Sequence, residues 1–279
     1  MPTESKSLVV IEQQETQRAL AFERLIPALR QAFASGAQVP LRHHHHIPQP
    51  DGTTGVLLLM PAWQNDGYLG VKIATIFPGN TRRGLPGVYS TYLLSDAGTG
   101  KPLALIDGNQ ITVRRTVGVA AVAASYLARA DASSLLVVGA GRVASLAAAA
   151  FRQVRPIRKV AVWDIDAAMA ERLATALRAD GFEAAAATSL EKAARQADII
   201  SCATLSTKPL IRAEWLKPGT HLDLIGSFTP QMREADDACF ARARVYVDTM
   251  GALEESGDLI DPIKNGLLEK SAIGTLAQL

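Results

Sequence analysis

The sequence predicts an α/β protein made of a doubly wound parallel sheet and a smaller α+β domain that carries an antiparallel sheet. Three observations carry this. From about Ser134 to about Asp248, short apolar runs alternate with helical periodicity, the order of a parallel sheet with crossover helices. From Val56 to Thr112 the apolar runs are cut by turns instead, as in an antiparallel sheet. A glycine-rich turn, Gly139-Ala140-Gly141-Arg142-Val143-Ala144, follows the first strand of the alternating part and opens a helix, which makes that part a Rossmann-type domain. The 279 residues suffice for two cores. The expected division is a substrate-binding and dimerisation domain over residues 1–114 and a dinucleotide-binding domain over residues 115–279.

Leu8 to Ile11 reads as a short strand, and Phe22 to Ala34 as a helix with Phe22, Leu25, Ile26, Leu29 and Phe33 at helical spacing. Pro27 falls within the first turn or two, where a missing amide costs least. The runs GVLLLMPAW, YLGVKIATIF, GVYSTYLLSD and KPLALIDGNQIT read as antiparallel strands. Between the last two, DAGTGKP lacks the spacing of a phosphate loop and places Pro102 where Ser or Thr would stand, so it reads as a hairpin turn. The alanine-rich RRTVGVAAVAASYLARAD reads as a buried helix. There follow strand SLLVV, a helix from Arg142, strand KVAVW, a helix from Ala167, a short strand in EAAAATS, a helix near Leu190 and strand ADIISCAT.

A net charge of +2 with no block of like charge gives no nucleic-acid groove, and no apolar stretch reaches membrane-spanning length. MPTESKSLVV lacks the pattern of an export signal. Cys202 and Cys239 make neither a disulfide framework nor a CxxC site, which suits a reducing cytoplasm. The expected partners are small molecules.

In the glycine-rich turn, Gly139 makes the tight bend, Gly141 lets backbone amides approach a pyrophosphate, and Ala144 allows close helix packing. Ala140, Arg142 and Val143 complete the cradle. Asp164 ends the second strand about twenty residues on, where a carboxylate accepts both ribose hydroxyls of NAD(H). Asp166, or Asp164 itself, is also suited to cap the helix from Ala167. Arg142 near a 2′-phosphate would instead suit NADP(H). The loops containing Thr204 and the pair Gly226-Ser227 follow strand ends and are expected to border the nicotinamide half, although Gly and Pro there are also ordinary turn formers.

Three cations stand where charge is unexpected: Arg42 before four histidines, Lys72 inside an apolar strand, and Arg115 beside Thr116 at the start of the alanine-rich helix. Aimed at one cavity, they would grip a carboxylate, Arg through two parallel hydrogen bonds. The alternative has Lys72 facing solvent on a half-exposed strand and Arg115 on the surface of a helix start. His43 to His46 reads as a loop that cannot turn four rings on one ion, with one histidine near the substrate.

Taken together, VPLRHHHH, GVKIATIFPGN, TGKPLALIDGNQIT, the RRT helix start, VVGAGRVA and GSFTPQMREAD make the chain, from about Leu20 to its C-terminus, resemble the ornithine cyclodeaminase and mu-crystallin family, most of all its bacterial Δ1-pyrroline-2-carboxylate reductase branch. The resemblance implies a homodimer built through the N-terminal sheet, a cofactor contact at Thr116, and a substrate carboxylate held by Arg42, Lys72 and Arg115. Phe228, or at nearest Ser227, falls where the cyclodeaminases carry an aspartate for the distal amine of the substrate. An uncharged side chain there implies a cyclic imino acid rather than ornithine, with Lys72 or an ordered water as proton donor. A cyclodeaminase-type lyase and a non-catalytic binder of NAD(P)H and a small carboxylate are the alternatives. The family's chain usually continues past the region of Ser271 to Leu279 with a helix returning to the substrate domain, a segment expected to be missing here.

Overall fold

A computed structural model describes residues 8–65 and 67–279. The expectation of no export signal in part concerns residues 1–7, which lie outside the described residues. The chain divides into two compact units, one of residues 1–24 and 31–113, the other of residues 25–30 and 114–279.

The first unit contains β1 (Val9–Ile11), α1 (Gln13–Ala19) and the start of α2 (Phe22–Ser35), then β2 (His43–Pro48), β3 (Thr54–Trp63), β4 (Tyr68–Ile76), β5 (Val88–Asp96) and β6 (Pro102–Asp107). Its six-stranded sheet has the order β1-β6-β5-β4-β3-β2, antiparallel from β2 to β6, with β1 joining parallel to β6. Alternation follows from apolar side chains placed every second residue. DAGTGKP is indeed a hairpin turn, closed by Asp96, whose carboxylate accepts from the amide and hydroxyl of Thr99 at 2.8 and 2.7 Å.

The histidines are not on a loop: His43 to His46 form most of β2, an edge strand paired with β3, so successive rings point to opposite faces. The alanine-rich helix, α3, spans Gly108–Leu127 and starts earlier than expected, so Arg115 lies two turns inside it rather than at its start. Asp107 explains the earlier start, since its carboxylate accepts from the Gln110 amide at 2.6 Å as a helix cap.

In the second unit, β7 (Ser134–Val138), β8 (Lys159–Trp163), β9 (Glu183–Ala186), β10 (Ile199–Cys202) and β11 (His221–Leu224) form a wholly parallel sheet in the order β11-β10-β7-β8-β9. This is the doubly wound order, with strand succession reversing between β7 and β10. The helix expected from Arg142 begins later and is short: a 3₁₀ turn over Ala144–Leu146 leads into α4 (Ala147–Phe151). Longer crossovers are α5 (Ala167–Ala179) and α6 (Leu190–Gln196). Further along, β12 (Val245–Val247) and β13 (Ile273–Thr275) pair parallel around α7 (Ala252–Glu255) and α8 (Gly257–Lys264).

Leu136, Val138, Ile200 and Cys202 on one face of the parallel sheet are fully buried against Ile211, Phe240, Leu253, Leu259 and Ile273. Each large aliphatic side chain buried in this way contributes roughly 1.5–3 kcal/mol. Residues 25–30 of α2 belong with this unit: Arg30 donates to Ser125 Oγ at 3.1 Å and lies over the Tyr126 ring. No described helix is long and apolar enough to cross a membrane.

Candidate active site

At the carboxyl ends of the parallel strands, Gly139 has φ of +101°, and a Cβ there would meet the Ala203 carbonyl oxygen at 2.8 Å. The turn after β7 therefore packs directly on the loop after β10, and only glycine allows both that approach and that backbone angle. Gly141 contrasts with it, since a Cβ there would meet nothing within 4 Å. Open space above the second glycine, with close packing below the first, fits a pyrophosphate laid over the turn.

Asp164, just past β8, accepts from the Ala140 amide at 2.7 Å through one oxygen and from the Asp166 amide at 2.8 Å through the other. Asp166 caps α5, accepting from Ala168 at 2.9 Å and Met169 at 3.4 Å. Of the two aspartates, Asp166 is therefore the one that caps α5. Ala140 is buried, Val143 half-buried and Arg142 exposed.

The loops after β10 and β11 are joined by a residue that sequence reasoning missed. Glu234 is fully buried and accepts from the Thr204 amide at 2.6 Å, the Thr204 hydroxyl at 2.7 Å and the Gly226 amide at 2.7 Å. A Cβ on Gly226 would fall 2.2 Å from the Thr204 carbonyl oxygen, so the two loops touch. Burial pushes the Glu234 carboxyl up to about 7, against the pull of its donors. Asp258, at the start of α8, accepts from the amides of Glu234 and Ala235, and burial raises its carboxyl as well. Next to Glu234, Arg233 is ringed by Asp237, Asp258 and Asp261. The Ser227 hydroxyl donates to the Met232 carbonyl at 2.7 Å and accepts from Ser256, so it ties its loop to the approach of α8. Phe228 in the same loop is 55% exposed.

In the first unit, Lys72 on β4 is half-buried, paired with Met60 on β3 and Tyr92 on β5. It shares its face with the buried Gly70 and Ala74. Arg42 immediately precedes β2, and continuing the register of His43 with Leu59 sets it opposite Met60. Arg42 and Lys72 therefore stand on one row across the sheet, about 10 Å apart at the usual strand spacing. His44 and His46 share that face. Arg115 and Thr116 lie on α3 in the second unit, both half-buried. Among the described residues, no group of three or more His, Cys, Asp or Glu could hold a metal.

The family profile described as "Ornithine cyclodeaminase/mu-crystallin family" matches residues 6–278. The chain belongs to this family. A Δ1-pyrroline-2-carboxylate reductase of Paracoccus denitrificans is 40% identical over 251 residues, covering 86% of this chain and 79% of that protein. Among solved structures, the Δ1-pyrroline-2-carboxylate reductase of Thermococcus litoralis in complex with NADH and L-proline superposes with a TM-score of 0.90 at 32% identity, over 98% of this chain and 86% of that one. An archaeal alanine dehydrogenase dimer with bound NAD reaches 0.88 at 28% identity, over 97% and 84% of the two chains. The family's fold thus serves more than one substrate.

Proposed function

We propose that this chain is an NAD(P)H-dependent ketimine reductase that reduces a cyclic α-imino acid, Δ1-pyrroline-2-carboxylate or Δ1-piperideine-2-carboxylate, to L-proline or L-pipecolate. The observation that carries the reading is the likeness, along most of the chain, to reductases named for the first of these substrates. Phe228 supports it, because an apolar ring at that loop offers nothing to the free amine of an open-chain diamino acid.

Arg42, Lys72 and Arg115 hold the substrate carboxylate, Arg through paired hydrogen bonds and Lys as a point charge. That grip fixes the ring so that C2 is presented for attack, which converts a chance encounter into a positioned one. The reduced nicotinamide supplies the hydride. The imine nitrogen must carry a proton to accept it, and the Lys72 ammonium or an ordered water delivers that proton to the ring nitrogen. Gly139 to Val143 would hold the cofactor's pyrophosphate and Asp164 its adenosine ribose. Thr116, Thr204, Gly226 and Ser227 would border its nicotinamide end. The Asp164 carboxylate favours NAD(H), since a 2′-phosphate would meet like charge.

The working protein is a homodimer formed through the six-stranded sheet. The face opposite Lys72 presents Leu59, Val71, Ile73, Leu93 and Leu105, none of them buried, and a contiguous apolar surface of this kind is usually covered by a partner. Two free, buried cysteines suit a cytoplasmic setting.

The test is oxidation of NADH and of NADPH in the presence of each cyclic imine, followed by nicotinamide absorbance. Turnover with either imine supports the reading. Ammonia release from ornithine without added reductant, or tight ligand binding with no turnover, overturns it. Lys72→Ala is expected to lower turnover by about 100-fold or more while leaving NADH affinity within about twofold. A parallel loss of NADH binding would remove Lys72 from the chemical step.

A further inference from the structure

We propose that Glu234 is a positioning residue for the cofactor: its ionised carboxylate clamps the loops after β10 and β11 together, and cofactor affinity depends on that charge. The inference rests on the dinucleotide reading of the second unit and adds to it a residue that touches no cofactor. Its basis is geometric. One fully buried carboxylate gathers three donors, two from Thr204 and one from Gly226. Those residues stand in the two loops expected to border the nicotinamide. The Gly139 turn leans on Ala203, the neighbour of Thr204, so the clamp also supports the turn beneath the pyrophosphate.

A neutral carboxyl accepts less strongly and brings a proton to oxygens whose three hydrogen-bond partners are all donating to them. Protonation therefore weakens the tie between the two loops. The charged or titratable groups facing Glu234 are Asp258 at the start of α8 and Cys202 at the end of β10, with Arg233 beside it in the chain. Arg233 is engaged by Asp237, Asp258 and Asp261, and burial keeps the Cys202 thiol protonated, so neither supplies a countercharge of its own to Glu234. With its carboxyl at about 7, Glu234 changes charge near neutral pH.

The experiment titrates NADH binding from about pH 5.5 to 8.5 for the parent chain, Glu234→Gln and Thr204→Val, with circular dichroism to establish folding and KM for NADH and kcat measured alongside. The parent is expected to lose affinity toward acid with a midpoint near 7. Glu234→Gln should bind NADH roughly tenfold more weakly at the alkaline end and show no such midpoint, with KM for NADH rising more than kcat falls. Thr204→Val removes one donor from the charged form and keeps the shape, so it should move the parent's midpoint upward by about half a unit or more. If Glu234→Gln does not fold, the Thr204→Val midpoint decides alone. A parent whose affinity is flat with pH, or a Thr204→Val midpoint equal to the parent's, overturns the inference and leaves the reductase reading standing. A parent that binds neither NADH nor NADPH overturns both.

Discussion

Asp164 holds the amides of Ala140 and Asp166 at once, so its carboxylate is fixed in orientation. Asp164→Asn keeps the shape but turns one acceptor into a donor and removes the charge. NADH affinity should fall about tenfold while the preference for NADH over NADPH narrows, read by titrating both nucleotides. An unchanged ratio would free Asp164 from a part in cofactor choice. The tight turn at Gly139 and the helix cap at Asp166 were legible in the sequence because they depend on near neighbours and on a fixed spacing from a strand, whereas the part given to Asp164 in cofactor binding is a proposal. Glu234 was not legible, since its partners Thr204 and Gly226 lie 30 and 8 residues away, and no local pattern marks a glutamate as buried. The roles given to Arg42, Lys72 and Arg115 came from family likeness; their residue types alone left a solvent-facing alternative open. The register of β2, β3 and β4, continued one residue before His43, puts Arg42 on the row of Lys72.

At the scale of elements, strands and crossovers were largely visible, because apolar periodicity follows which face is covered. The errors fell where a short-range contact outweighs pattern. Four histidines look like a loop, yet β2 forms because pairing with β3 satisfies the backbone whatever the side chains are. Residues 108–112 do not look helical, yet the Asp107 cap starts α3 there. The outer face of β4 yields a prediction of its own. Ile73→Asp would set a carboxylate in the apolar patch proposed as the dimer interface, so the parent should be dimeric by light scattering and the variant monomeric at the same concentration. A monomeric parent, or a variant that stays dimeric, would rule this face out as the interface.

For the whole molecule, His221 opposes Glu234 and Asp223 in pH dependence. Burial depresses His221 from 6.5 to about 4, with Arg155 adding repulsion, and His221 Nε2 has no hydrogen-bond partner among the described residues. Between those values the unfolded chain binds a proton that the folded chain refuses, so the His221 contribution to stability is present above 6.5 and is lost as pH falls toward 4. Glu234, raised from 4.5 to about 7, and Asp223, raised by burial from 3.8 to about 6, act in the other sense: their contributions are present in acid and lost as pH rises. His221 and Glu234 therefore nearly cancel from about pH 4.5 to 6.5. His221→Asn removes one side of that balance. Its unfolding free energy should decline with rising pH across that window more steeply than the parent's, by about 1 kcal/mol per unit, as measured by denaturant titration. Equal slopes would mean that His221 is not held neutral.

The pairing of β1 with β6 has a consequence for how the chain is made. Val9 lies beside Ala104, and Ile11 beside Ile106, so the ninety-odd residues between them must leave the ribosome before the first strand can take its place. Contacts this distant in the chain form slowly, because the intervening loop must be closed first. During synthesis the segment Val9–Ile11, with Val9 and Val10 still largely exposed in the finished fold, waits as an apolar segment with no strand to join. The nascent first unit is therefore most open to mispairing and to chaperone capture until β6 has emerged.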